Sequence, residues 1–114
     1  LAVMNALALQ RDPHAVMLCG THDVVACFQS SASFAATQGD RVSIWPLGRQ
    51  IFNRSSGLRW KLDGLEMQAG GIIGTSNEAT AARVEIEAGP GDGYAVIMPI
   101  SSADTLLAAM LPAD

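Results

Sequence analysis

Trp60, Gly74, Thr75, Ser76 and Asn77 combine side-chain types suited to recognising a flat ring. An exposed indole stacks on aromatic heterocycles, and on a cationic one with a gain of about 1 kcal/mol that grows once water is excluded. Hydroxyls, an amide and nearby backbone groups can bond a ring's edge, and Gly74 lacks the side chain that would hold a ligand away. The same residues allow a plainer reading. Leu58, Trp60 and Leu62 alternate with Arg59 and Lys61, so an extended segment would put all three on one face with Trp60 capping the core. Thr75, Ser76 and Asn77 would then be a polar turn bonded to itself.

Other chemistry is less well supported by spacing. Asp63 and Glu66 are the types for acid/base work or magnesium binding, and would share a face if their segment were helical; a solvated surface pair is the simpler expectation. The run Gly70-Gly71-Ile72-Ile73-Gly74-Thr75-Ser76 superficially resembles a phosphate loop but lacks its lysine. His14 follows Asp12-Pro13 and His22 lies in Gly20-Thr21-His22-Asp23, and neither has partners at triad or metal spacing, so both read as turn histidines. Cys19 and Cys27 lie in apolar surroundings and read as small buried thiols, since four-ligand zinc spacing is absent. No catalytic residue and no metal ligand is therefore assigned.

The elements that must position these groups are mostly short strands. Residues 24–28, 33–37 and 41–46 are separated by turn residues, and 83–87 alternates cleanly, with Val84 and Ile86 opposite Arg83, Glu85 and Glu87. Gly89-Pro90-Gly91-Asp92-Gly93 then turns the chain into 94–100, apolar on both faces as in a central strand. Close spacing of such strands predicts an antiparallel β-sandwich of jelly-roll type. Residues 1–10 read as the end of a helix stopped by Pro13, and 15–19 as a strand, together the αβ half of an α/β unit. Ser101, Ser102 and Asp104 precede Leu106, Leu107, Met110 and Leu111, the pattern of a capped amphipathic helix.

With 114 residues, 49% of them hydrophobic and 16% charged, the chain can bury one ordinary core. A net charge of −4 without a Lys/Arg run argues against nucleic acid and anionic membranes as partners. No apolar run approaches the roughly 18 residues of a membrane span, so a cytoplasmic location is expected. The chain opens Leu1-Ala2-Val3-Met4, inside a helical pattern, and is expected to be the back part of something longer.

Three segments carry a resemblance. "RVSIWPLG", "GLRWKLDGLEMQAGGIIGTSNEA" and "RVEIEAGPGDGYAVIMP" resemble, in order and spacing, the thiamine-binding C-terminal domain of thiamine pyrophosphokinases. The most specific marks are 57–62 and 74–78, with a final hairpin at the end of the pattern. "LAVMNALAL" is similar to the segment after the Asp-His pair of that family's catalytic domain, with Asn5 in the position of an active-site asparagine. The resemblance implies residues 1–28 as the end of an α/β catalytic domain and 29–100 as a thiamine-binding β-sandwich; it leaves 101–114 as a helical extension, expected to pack on the sandwich or on a neighbouring chain. It implies transfer of the pyrophosphoryl group of ATP to thiamine, giving thiamine diphosphate and AMP. Magnesium and ATP would be bound mainly by the upstream domain, with thiamine between the subunits of a homodimer. Trp60 would wall the ligand, and Gly74, Thr75, Ser76 and Asn77 would meet its aminopyrimidine. Lacking the family's catalytic aspartates, this chain alone is expected to have no phosphoryl-transfer activity. The alternative is a non-catalytic sandwich that binds a flat cationic heterocycle.

Overall fold

Val84 and Ile86 alternate with charged residues, and in the computed structural model, which describes residues 16–68 and 75–110, this alternation becomes the inner and outer faces of one strand. Among the described residues there are nine strands: β1 (Val16–Cys19), β2 (Asp23–Phe28), β3 (Ala32–Ala35), β4 (Arg41–Pro46), β5 (Gln50–Ser56), β6 (Glu66–Met67), β7 (Thr75–Glu78), β8 (Arg83–Gly91) and β9 (Tyr94–Pro99). They form a five-stranded sheet in the order β1-β2-β9-β4-β7 and a four-stranded sheet in the order β3-β8-β5-β6. Every named pairing is antiparallel.

The two inner faces meet in one cluster. Val24, Val42, Ile44, Val96 and Met98 come from the first sheet, and Phe34, Phe52, Val84 and Ile86 from the second. Tyr94 stacks on Phe28 and meets Phe52 edge-on, with ring centroids 5.8 and 5.2 Å away. Such aromatic pairs add about 0.5–1.5 kcal/mol each beyond their burial. The Tyr94 hydroxyl donates to the Ser30 carbonyl at 2.8 Å, so its buried polar end is satisfied.

The expected sandwich is present, but several of its parts differ from expectation. Residues 16–28, assigned from sequence to an α/β domain, supply β1 and β2. The latter pairs along its length with β9, with Val24, Ala26 and Phe28 in the core. An apolar run of strand length has no periodicity that says which sheet it joins. The expected terminal hairpin is instead a corner. β8 and β9 are joined through Asp92 and Gly93 but lie in different sheets, and β8 pairs with β3 and β5. Buried Gln50 pins this corner, its Oε1 accepting from Gly93 N–H at 2.9 Å and its Nε2 donating to the Gly89 carbonyl at 3.0 Å.

After a single 3₁₀ turn at Ile100–Ser102 comes α1 (Ala103–Met110). Leu106 and Met110 are buried in the core, and Thr105 Oγ1 donates to the Ala35 carbonyl at 3.0 Å. The expected amphipathic helix is thus present and packs on the sandwich. The helix expected over 1–10 lies outside the described residues.

Cys27 faces away from this cluster and packs with Ala95, Val25 and Leu47. Burial pushes its thiol up to about 11 from the ordinary 9.0. In a Cys19→Ser background, Cys27 is expected to resist an aromatic disulfide reagent at pH 8 until denaturant is added. Fast native-state labelling would contradict its burial. The unfolded thiol loses its proton first, so Cys27 lowers stability as pH rises from about 9 through 11.

Candidate functional site

Gly57 ends β5 with φ at +79°, a backbone conformation that glycine adopts at little cost. The chain then turns out of the four-stranded sheet and runs beside the end of β7. The Gly57 carbonyl accepts from Thr80 N–H at 2.8 Å, Leu58 bridges Ala79, and Arg59 N–H donates to the Glu78 carbonyl at 2.9 Å. The next residue has no backbone partner in this ladder, and a side chain takes over. Asn77 Oδ1 accepts from Trp60 N–H at 3.0 Å, and Asn77 Nδ2 donates to the Trp60 carbonyl at 2.7 Å. The primary amide thus stands in for a peptide of a neighbouring strand. The same Oδ1 also accepts from Glu78 N–H at 2.9 Å. Asn77 is only 3% exposed, so these bonds replace the water it has lost.

The result is a fixed backbone carrying an open ring. Leu58 and Leu62 are 6% and 1% exposed, whereas Trp60 between them is 51% exposed. The expected common face does not form, because after Leu58 the segment is bent rather than extended. The Leu62 N–H is taken by Ser55 Oγ at 2.8 Å, which turns that residue back into the core. The Arg59 guanidinium lies 4.6 Å from the centre of the Trp60 ring, with Glu78 Oε1 3.9 Å from its Nη1. At this exposure the cation–ring contact contributes about 0.5–1 kcal/mol and the ion pair no more.

The other expected site residues are divided. Thr75, Ser76 and Asn77, expected in a loop, belong to edge strand β7, paired with Ile44, Ser43 and Val42 of β4. Its four polar residues have no apolar alternation, so nothing in their pattern marks a strand. Ser76 is exposed and lies on the opposite face of the sheet from buried Asn77, so the two side chains do not converge on one ligand. The structure brings Asn77 to Trp60 and commits its amide there. Gly74 and Asn5 lie outside the described residues.

Asp63 and Glu66 are not on a helix. Asp63 sits in a turn and accepts from Ser55 N–H at 3.0 Å, while Glu66 is in β6 and pairs with Arg49 Nε at 2.5 Å. That pairing holds the Glu66 carboxyl below its ordinary value. Gly57, Arg59 and Glu78, which shape the site, were not singled out individually from sequence. The signal for them was the glycine before Leu-Arg-Trp and the acid after Asn77.

A groove of about 560 Å³ lies elsewhere, over the outer face of the four-stranded sheet, lined among others by Ser31, Ala32, Arg54, Glu85, Ile86 and Glu87. Neither Trp60 nor Asn77 borders it. Its Arg54 is already paired with Glu87 at 3.0 Å.

Fold and site together define a two-sheet antiparallel β-sandwich with a clamped, open indole where the edge of one sheet meets the other. Residues 32–91, just over half of the 114, match the family model described as "Thiamin pyrophosphokinase, vitamin B1 binding domain", and the chain belongs to that family. No curated protein sequence matches it. Solved structures share its fold. Thiamin pyrophosphokinase from Geobacillus thermodenitrificans superposes with a TM-score of 0.66 at 14% identity, over 88% of this chain and 46% of its own. The Bacillus subtilis thiamine pyrophosphokinase gives 0.62 at 16% identity, over 75% and 41%. A thiamin pyrophosphokinase family protein from Enterococcus faecalis gives 0.58 at 13%, over 76% and 41%. The chain thus spans less than half the length of each of these proteins.

Proposed function

We propose that this chain is the thiamine-binding part of a thiamine pyrophosphokinase that moves the pyrophosphoryl group of ATP to thiamine, releasing AMP. The observation that carries the reading is Trp60, half exposed yet fixed at both its N–H and its carbonyl, within the family-matched residues. A ring left half in water contributes less to folding than a buried one, whereas a pre-positioned ring loses little entropy when a flat ligand stacks on it. The ligand's edge would meet the chain around Gly74, Thr75 and Ser76, with Asn77 holding the platform.

Catalysis is assigned to a domain beyond the described residues, with thiamine between that domain of one subunit and this sandwich of another in a cytoplasmic homodimer. Magnesium and ATP belong with the catalytic domain. The carboxylates here do not fit them: Asp63 and Glu66 are separately engaged, Asp23 pairs with Arg41, and no three His, Cys, Asp or Glu side chains converge among the described residues. No helix among them is long and apolar enough to cross a membrane.

The test is calorimetric titration of thiamine into the wild type and Trp60→Ala. Loss of the stack is expected to weaken binding roughly tenfold, the equivalent of about 1.4 kcal/mol. Because Trp60 is half exposed, the melting temperature should change little. Equal affinities in two folded proteins would exclude Trp60 from the site. For the catalytic half of the reading, a protein that joins this sandwich to the catalytic domain should release AMP from ATP only when thiamine is present.

A further inference from the structure

An indole has two faces, and here one is already taken. The Arg59 guanidinium lies 4.6 Å from the Trp60 ring centre. Its backbone is fixed by the bond from Arg59 N–H to the Glu78 carbonyl, and its head is drawn towards the Glu78 carboxylate. Trp60 is clamped by Asn77, so its backbone does not turn to offer the covered face. A ligand therefore meets the opposite face of a ring that already carries a permanent cation, with the exposed Lys61 as the next residue. An isolated indole prefers a cationic partner, but a guanidinium on one face repels a second positive charge on the other, an effect that the Glu78 carboxylate 3.9 Å from its Nη1 reduces.

We propose that Arg59 is the specificity-determining residue of this platform: it reserves the free face of Trp60 for an uncharged ring and turns positive charge away. The inference rests on the proposed thiamine site and deepens it. Thiamine joins a neutral aminopyrimidine to a cationic thiazolium through one methylene, so a platform that sorts charge also sets which end of the ligand enters first. The sequence suggested an indole selecting a cationic ring; the neighbouring guanidinium reverses that preference.

The experiment uses the protein with Trp45→Phe, which leaves Trp60 as the chain's one indole, and follows its fluorescence. The probes are intact thiamine, its aminopyrimidine alcohol half and an N-methylated thiazolium half. Without further substitution, the pyrimidine half is expected to perturb Trp60 at lower concentration than the thiazolium half. Arg59→Gln should shift the ratio of the two affinities towards the thiazolium by about twofold to threefold, the range for exposed charges within a Debye length when a neighbouring carboxylate offsets part of the field. Arg59→Lys should keep the original ratio, and added salt should move the unsubstituted protein towards the Arg59→Gln value. An unchanged ratio in Arg59→Gln, with intact thiamine still quenching Trp60, overturns the role of Arg59 and leaves the thiamine site standing. If intact thiamine quenches Trp60 in none of these proteins, the site itself is wrong and the inference falls with it.

Discussion

Gly57→Ala is expected to destabilise the protein by about 3–5 kcal/mol, the sum of a left-handed backbone at a non-glycine residue and an overlap that no side-chain rotation relieves. Gly57 has φ at +79°, and a Cβ there would lie 2.1 Å from the Arg83 carbonyl oxygen and 3.2 Å from the Val84 Cα. Both contacts are backbone, in the strand beside β5, so β5 and β8 would have to part where Ser56 faces Glu85. The same shift would pull Leu58 from Ala79 and Arg59 from Glu78, and with them the approach to Trp60. Gly39 is the control. Its φ is +96°, but nothing lies within 4 Å of a Cβ built there, so Gly39→Ala should cost only about 1–2 kcal/mol of backbone strain. Urea denaturation of both variants checks the contrast. If Gly57→Ala unfolds no earlier than Gly39→Ala, the close packing of β5 on β8 is not as described.

The second large effect is expected at Asn77. Removing its amide leaves Trp60 N–H, the Trp60 carbonyl and Glu78 N–H without their partners. A buried group left unpaired costs about 1–3 kcal/mol, and water reaching this edge recovers part of it, so Asn77→Ala should cost about 2–4 kcal/mol. Amide hydrogen exchange at Trp60 and Glu78 should accelerate more than elsewhere in β7. Thiamine affinity should fall as well, because the indole is no longer held. That fall should disappear in a Trp60→Ala background, since Asn77 acts through Trp60; a loss of equal size there would show that Asn77 touches the ligand itself. Asn77→Asp adds a check of sign. A carboxylate accepts from the two N–H groups but repels the Trp60 carbonyl, while its protonated form donates as the amide did. The defect should therefore ease as pH falls through the aspartate's titration.

Fold and platform were unequally legible in the sequence. Residues 83–87 declared their strand because one face is buried and the other wet, which writes a period of two into the residues; 41–46 did so through Val42 and Ile44, although Ser43 between them is buried as well. β5 and β7 did not. β5 begins at buried Gln50, carries register shifts between Gln50 and Phe52 and between Phe52 and Arg54, and ends Asn53-Arg54-Ser55-Ser56 without alternation. β7 turns Asn77 into the interior, where a polar residue is stable only because Trp60 and Glu78 satisfy it. No local rule predicts a buried amide whose partner lies 17 residues away.

The sequence by itself determined the antiparallel sandwich, through the spacing of its short alternating runs, and the family, through the motifs at 57–62 and 74–78. It also put an indole and a small polar cluster close enough in the chain to serve one ligand. Only the tertiary structure decided that residues 16–28 belong to the sheet, that Asn77 holds Trp60, and that Arg59 covers one face of the ring. The reason is that burial and hydrogen bonding are properties of pairs brought together by folding. Leu58, Trp60 and Leu62 look equivalent as a pattern, yet bonds from Asn77 and Ser55 leave two of them in the core and the third in water.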